Sequence, residues 1–537
     1  MLANGKMRMG LIAMLCIGSA GPFLAAEKKI TVLSSAGITV DQATLFAFDD
    51  YSIPFRQNLA LTMYPGQKYA GNPVVRRGGP GKPDEYRADF FGTVLQQGEK
   101  FKMWYCTADP EAIIAGAQPH PTLRGWQVAY AESTDGIHWV KPNLGLVEYK
   151  GNRNNNLVLM EPDGIFGYIA TVLYEPDDPD SSRRYKMMLH AAGIDPEGLR
   201  SSPIPLFSED GLRWRLAVKG KLTDGIAPYE SQIIDEGLET VGLYRWQGMY
   251  FMTGHAGLHW AWLPDGQPAG RLMYSFRSNN FTQWSQTRSL AFVRWGYRST
   301  KGSEGEEAHE AAAVWNRGNV LLGTYGQFHG SPGGSFGGSS PNSKRHPMDL
   351  GFLISNDGIH FREPLNDFAF IHQGTSGSWD GGGLIHGQGF LDVGDKSYVY
   401  YGGWETDVSI LQNHAEIGLV TFRQDGFGSI SPRNPGQPAS FVTCPVQVKG
   451  QGRLWINADG LSPDARLRVE LLDELENPLP GYSGDNAGTL QQSGLRAKVS
   501  WKTNEQIPDL QIPFKIKVSF EGERAGSIKF YSLYVTE

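Results

Sequence analysis

The chain has 537 residues, of which 67 are glycine, about one in eight against a usual share of roughly 7%. Aromatic residues make up 12%, charged residues only 20%, and the formal net charge is −7. High glycine with a high aromatic load points to many short strands and tight turns; it excludes long helical bundles, collagen and general disorder, and the mildly acidic balance excludes an electrostatic footprint for nucleic acid.

Residues 1–26 read as an export signal. Lys6 and Arg8 form a positive start, residues 9–24 an apolar stretch, and Ala25-Ala26 a small-residue end before Glu27. Gly18, Gly21 and Pro22 break the span, against the alternative of an anchor helix, and no second apolar stretch of about 18 residues follows. The mature chain is therefore expected to be exported, periplasmic or secreted, without a membrane span. Losing Lys6 and Arg8 takes the net charge from −7 to −9. Cys106 and Cys444 remain, either paired or as two buried thiols, and no Cys/His metal spacing is present. Residues 27–44 read as a lead-in strand that closes or latches the domain after it.

An internal repeat then dominates residues 45–430. The segment Ser133-Thr134-Asp135-Gly136-Ile137-His138-Trp139 recurs from Ser208 to Trp214 and from Ser355 to Phe361. Degenerate copies run from Ser278 to Trp284 and around Asp425-Gly426. An aromatic-rich strand pattern precedes each copy, at 101–105 (FKMWY), 185–189 (YKMML), 249–253 (MYFMT), 320–325 (VLLGTY) and 397–401 (SYVYY). The Asp-Gly pair makes a turn whose amides the Asp side chain satisfies, and the following aromatic packs between sheets, so these Asp residues are structural. Two interleaved elements in phase over five copies, each with about four short strands, predict a five-bladed β-propeller. After a proline-rich stretch at 432–438, residues 441–537 alternate in strand fashion between Pro and Gly breaks, which predicts a C-terminal antiparallel β-sandwich. The fold class is all-β.

In a propeller the innermost strands line a channel, so residues where each blade's first strand begins are the natural site candidates. Blade one offers Glu85, Arg87 and Asp89; blade two Asp163; blade three Glu230, Asp235 and Glu236. Blade four offers Glu306, Glu307, His309 and Glu310, and blade five Trp379, Asp380 and His386. Trp379 beside Asp380 suits a sugar platform, an aromatic face next to a carboxylate that takes hydroxyls. His309 and His386 suit sugar hydroxyls or satisfied loop positions. The segment 326–347, rich in Gly and Ser with His329, Lys344, Arg345 and His346, reads as a rim over the channel; its basic groups suit an anionic sugar or plain solvation.

The FKMWY strand, the run STDGIHWVKPNLGLVEYKGNRNNNLVL at 133–159 and GDKSYVYYGGWE at 394–405 together resemble exported bacterial proteins of the glycoside hydrolase family 32-like kind. These stand with the five-bladed propeller hydrolases, beside the family 43 arabinanases and xylosidases and the invertases and levansucrases. The invertase boxes (Asn-Asp-Pro-Asn-Gly, Arg-Asp-Pro, Glu-Cys) are absent in their usual form, which argues against sucrose or fructan cleavage. The resemblance implies a glycosidase with an Asp from blade one as base or nucleophile, an Asp from blade two as pKa modulator and a Glu from blade three as acid. Asp89, Asp163 and Glu230 best match those places, with Glu310 as a further acid, base or ligand. Arg87, His309, Trp379, Asp380 and His386 form the expected substrate-binding set.

Each position keeps a bland alternative: Asp89 as the ion-pair partner of Arg87, Asp163 in a Pro-Asp-Gly turn, Glu230 and Glu310 as solvated carboxylates. The expected activity is cleavage of an oligo- or polysaccharide, exo-acting because a deep pocket admits chain ends. A non-catalytic carbohydrate-binding propeller and a polysaccharide lyase using His and Tyr are the open alternatives. No cofactor is required; a structural Ca²⁺ in the channel and the oligomeric state stay open.

Overall fold

The computed structural model describes residues 29–34, 37–109, 125–161, 165–195, 198–218, 227–228, 238–256, 272–294, 307–329, 348–405 and 414–537. Residues 1–26, read above as an export signal, Asp163, Glu230, Asp235, Glu236, Glu306 and the segment 330–347 lie outside them, and of Glu307 and Glu310 only the backbone is described. The described chain is all-β: apart from 3₁₀ turns at Ser181–Arg183, Gly484–Asn486 and Ala525–Ser527, its regular structure is strand, mostly in antiparallel sheets. None of its helices is long and apolar enough to cross a membrane.

Five sheets follow one another along the middle of the chain. The first contains Ala88–Gln97, Lys100–Ala108 and Trp126–Ser133 in that order. The second runs from Gly167–Tyr174 through Tyr185–Asp195 and Gly198–Ser208 to Arg213–Leu216, with Leu159–Glu161 parallel at its far edge. The third runs from Leu238–Trp246 to Ser289–Phe292, and the fourth from Glu307–Asn316 to Ala369–Ile371. The fifth begins at Gly383–Ile385, continues through Lys396–Trp404 and Ala415–Arg423, and takes its outermost strand, Gln67–Lys68, from the early part of the chain.

Hydrogen bonds at or near the first strands stitch these sheets in a closed circuit. Val172 N–H donates to Thr93 Oγ1 (2.9 Å), Thr171 Oγ1 to the Val241 carbonyl (3.2 Å), and Thr253 Oγ1 to the Ala312 carbonyl (2.9 Å). His386 Nε2 donates to the Ala311 carbonyl (2.5 Å), and Gln388 N–H to the Gly92 carbonyl (2.9 Å), which returns the circuit from the fifth sheet to the first. Gly387 permits this last approach: a Cβ there would stand 2.4 Å from the Gly92 carbonyl oxygen.

The repeated turns close the circuit a second time, farther out. In the first, Asp135 Oδ1 accepts from Ile137 and His138 N–H (2.8 Å each), Ser133 Oγ accepts from Gly136 N–H (2.9 Å), and Trp139 Nε1 donates to the Gly136 carbonyl. The same bonds recur at Ser208/Asp210/Trp214 and, with Asn280 in place of Asp, at Ser278/Trp284. The Asp residues are structural, as expected. Burial alone would raise the Asp135 carboxyl, but hydrogen bonds from His138, Ile137 and Ser133 outweigh it and hold it well below the ordinary value.

Each turn also docks on the sheet before it. The Gly136 carbonyl accepts from Tyr400 of the fifth sheet, Gly211 from Trp104 of the first, and Gly358 from Tyr244 of the third. Phe281 packs its ring on Phe207 of the second (5.5 Å), and Asp425 pairs with Arg317 of the fourth (2.9 Å).

The remaining strands form a three-stranded sheet (Ile38–Val40, Ile30–Val32 and Val446–Val448) and two larger antiparallel sheets whose buried residues share one apolar core. One contains Gly488–Leu490, Arg466–Leu472, Lys515–Glu521, Ala439–Val442 and Phe55–Gln57; the other Gly494–Lys498, Arg453–Asp459, Lys529–Thr536, Gly428–Pro432 and Leu59–Met63, with Ala43–Phe46 beside Lys529–Thr536. Lys515–Glu521 alternates buried and half-buried residues along its length, the period of a strand with one face on a core. Of residues 27–44, expected as a lead-in strand, Thr44 exchanges two hydrogen bonds with Asn319 beside the fourth sheet (2.7 and 2.9 Å). Ile30–Val32 pairs with Val446–Val448 and Ala43–Phe46 with Lys529–Thr536, so this segment joins the C-terminal sheets, and Gln67–Lys68 completes the fifth sheet. Cys106 and Cys444 are free and buried, which decides between the two readings of the thiols.

Candidate functional site

Four of the first strands carry a β-bulge close to their starts. The register shifts between Asp89 and Thr93, Tyr168 and Ala170, Thr240 and Gly242, and His309 and Ala313. A bulge bends the strand and re-aims the side chain next to it. At Tyr168 the bulged residue itself, Ile169, is held at φ 61° with its side chain fully buried.

The side chains beside these bulges form a belt from sheet to sheet. Arg87 grips Asp89 with two hydrogen bonds (2.5 and 3.0 Å), both residues being buried. The Arg87 guanidinium lies 5.9 Å from the Trp126 ring, and Trp126 and Phe91 both pack on Tyr168 (5.3 and 5.5 Å). Tyr168 Oη donates to Glu239 Oε1 (2.5 Å), and Glu239 Oε2 lies 3.0 Å from His255 Nε2. His255 stacks near His309 (5.4 Å), and His309 near Phe328 (5.1 Å). Glu239 keeps a third of its side chain exposed while His255 is buried. His190 packs edge-on to Tyr168 (5.0 Å) and donates from Nδ1 to the Leu238 carbonyl (2.7 Å).

Burial lowers the affinity of the enclosed imidazoles for a proton. His386 is pushed down to about 4, burial outweighing the Ala311 carbonyl, with repulsion from His255 adding to it. His190 is lowered by burial against the pull of Glu239. Gln388 spans from the fifth sheet to the third, its Oε1 accepting from Leu243 N–H (2.5 Å).

Of the residues expected from sequence, Arg87, Asp89 and His309 fall on this belt, and the backbone of Glu310 lies next to His309 in the bulge. His386 serves as a buried link between the fourth and fifth sheets. Trp379 and Asp380 do not join the belt contacts. Asp380 accepts from Lys68 (2.5 Å), Tyr401 Oη (3.0 Å) and Ser378 Oγ (3.0 Å), and Trp379 stacks on Tyr401 (5.7 Å). The Asp380 carboxylate is thus paired inside the fifth sheet, where it anchors the outermost strand. Among the described residues no group of His, Cys, Asp and Glu is placed to hold a metal ion.

Sequence reading passed over Trp126, Tyr168, His190, Glu239 and His255. A signal for the two histidines existed: His190-Ala191 and His255-Ala256 stand at the same point of the second strands, directly opposite Tyr168 and Glu239.

No protein-family model matches the chain, and no curated protein sequence matches it. Solved structures to which the chain is similar include a glycosyl hydrolase from Bacteroides ovatus, at 15% identity, covering 67% of this chain and 94% of that one, with a TM-score of 0.42. Another belongs to work on the GH130 family of mannoside phosphorylases, which contains glycoside hydrolases that target β-1,2-mannosidic linkages in Candida mannan (14% identity, 67% and 94% covered, TM-score 0.41). A third is the catalytic domain of the Coprinopsis cinerea GH62 α-L-arabinofuranosidase (10% identity, 67% and 97% covered, TM-score 0.39).

Proposed function

We propose that the five stitched sheets are the blades of a five-bladed β-propeller, that residues 441–537 with the strands they recruit form a β-sandwich, and that the protein is an exported glycoside hydrolase. The observation that carries this reading is the placement of Glu239: a partly exposed carboxyl at the start of a first strand, held by Tyr168 and His255, on the same belt as the buried Arg87–Asp89 pair. Glycoside hydrolysis needs one carboxyl to protonate the leaving oxygen and a second to stabilise or attack the oxocarbenium-like centre. Glu239 takes the acid's part, and Asp89, in its ion pair with Arg87, is the second carboxyl. Trp126, half-buried, offers aromatic surface beside them. Asp163, Glu230 and Glu310 stay in the proposed set, and the reaction needs no cofactor. Attack on chain ends stays part of the proposal.

The test is release of reducing sugar from a panel of plant and algal glycans by the full chain. Glu239→Gln is expected to lower turnover by about a hundredfold or more while leaving thermal unfolding unchanged. Full activity in Glu239→Gln, Asp89→Asn and Glu310→Gln alike would overturn the assignment. The pairing of a tyrosine hydroxyl and an imidazole on one carboxylate also favours a second reading, a polysaccharide lyase using Tyr168 and His255. Its mark is an unsaturated product absorbing in the ultraviolet without consumption of water. Binding without turnover on every glycan would leave the carbohydrate-binding propeller.

A further inference from the structure

Two cavities open on the outside of the molecule, away from the belt. The larger, about 610 Å³, is lined by Leu33, Tyr51, Pro54, Phe55, Glu474 and Lys515 among others, at the edge of the C-terminal sheets. The smaller, about 410 Å³, is lined by Leu290, Phe292, His360, Phe361, Arg362 and Glu363, on the third and fourth sheets. Arg362 joins them. It lines the smaller cavity, and its guanidinium lies 4.1 Å from the Tyr51 ring, which lines the larger.

The trough has an unusual surface. Tyr51 is 46% exposed, Phe55 55% and Leu290 48%, although aromatic and aliphatic groups of this size are mostly buried. The two rings are backed by cations, Arg362 under Tyr51 and Lys515 at 5.6 Å from Phe55, which fixes their planes and leaves the other faces to solvent. These cations are already neutralised: Arg362 donates to Asp49 (2.8 Å) and Asp50 (2.7 Å), and Lys515 to Glu476 (2.9 Å). A concave surface with flat aromatic faces, peripheral carboxylates at Asp50 and Glu474, and its cations matched by anions suits an uncharged ligand that carries both apolar faces and hydroxyls.

We propose that this trough is a surface binding site for a neutral polysaccharide, with Tyr51 and Phe55 as its stacking platforms, separate from the belt. It goes beyond the proposed hydrolase, since it requires only that the protein meet a glycan chain. An extended ligand could run across Arg362 from one cavity to the other, which a single sugar would not need.

Affinity electrophoresis of the full chain tests it, in gels containing arabinoxylan, galactomannan or mixed-linkage β-glucan, with polygalacturonate as the anionic comparison. A Glu239→Gln background prevents digestion of the gel. Retardation is expected in at least one neutral gel, and the double variant Tyr51→Ala/Phe55→Ala is expected to weaken it by about tenfold, as loss of two stacking platforms should. The double variant should keep its melting temperature, both side chains being exposed, and, made without Glu239→Gln, should keep its activity on short soluble substrates. Unchanged retardation in the double variant, retardation by polygalacturonate alone, or no retardation in any neutral gel would overturn the proposal. None of these results bears on whether Glu239 is catalytic, so the two readings fail separately.

Discussion

Asp89 and Arg87 stand two residues apart, both buried, joined by a two-pronged ion pair. Removing one partner strands the other's charge in a low-dielectric site, whereas replacing both by apolar groups removes the charge altogether. Asp89→Asn is therefore expected to destabilise the fold by about 3–5 kcal/mol, and Arg87→Met/Asp89→Leu to recover much of that loss. Urea unfolding midpoints decide it; equal losses in the single and double variants would show that the pair's charge is not the issue. His386 makes a second residue-scale prediction. Its folded-state pKa, about 4, lies below the ordinary 6.5. Between those values the unfolded chain binds a proton at His386 that the folded chain does not. Stability is thus fully present above about pH 6.5 and falls as the pH drops towards 4, by at most roughly 1.4 kcal/mol per pH unit. His386→Gln, which keeps a donor for the Ala311 carbonyl, is expected to show a shallower decline over that window.

At the scale of elements, the Ser-x-Asp-Gly turn does two jobs. It satisfies its own amides, and it presents a glycine carbonyl to the preceding sheet. Gly211 sits at φ 79° and a Cβ there would stand 2.7 Å from the Trp104 ring, while Gly145 sits at φ 65° with nothing within 4 Å. Gly145→Ala should cost about 1–2 kcal/mol, the penalty of a left-handed conformation alone. Gly211→Ala adds overpacking against Trp104, about 1–3 kcal/mol more. Equal effects in thermal or urea unfolding would show that the turn does not clasp its neighbour. The turn was legible from sequence because its chemistry is local: Asp135 Oδ1 accepts from residues two and three positions on. Its second job was not, because Trp104 is 107 residues from Gly211 and only the ring of sheets brings them together.

For the whole molecule, the two ends of the chain are woven into one body. Strands at Ala43–Phe46, Phe55–Gln57 and Leu59–Met63 complete the C-terminal sheets, and the apolar core of those sheets continues into Tyr244, Trp246 and Phe361 of the third and fourth sheets. A fragment of residues 441–537 therefore lacks strands on both of its sheets. It is expected not to fold alone, giving a disordered spectrum by circular dichroism, and the mature chain is expected to unfold in one calorimetric transition. A folded fragment, or two well-separated transitions, would contradict this.

By itself the sequence determined the strand class, the period of the repeat and the structural part of its Asp residues, because turns and strand alternation depend on neighbours a few residues apart. It also brought Arg87, Asp89 and His309 forward, since each stands close to the start of a first strand. Only the tertiary structure decided which polar groups meet. Trp379-Asp380 has the composition of a sugar platform, yet its carboxylate is taken by Lys68, 312 residues away. Glu239 was not among the candidates read from sequence, and the bulges that aim Tyr168 and position Glu239 against His255 are register shifts between strands. A register shift belongs to a pair of strands, and neither strand's own residues announce it.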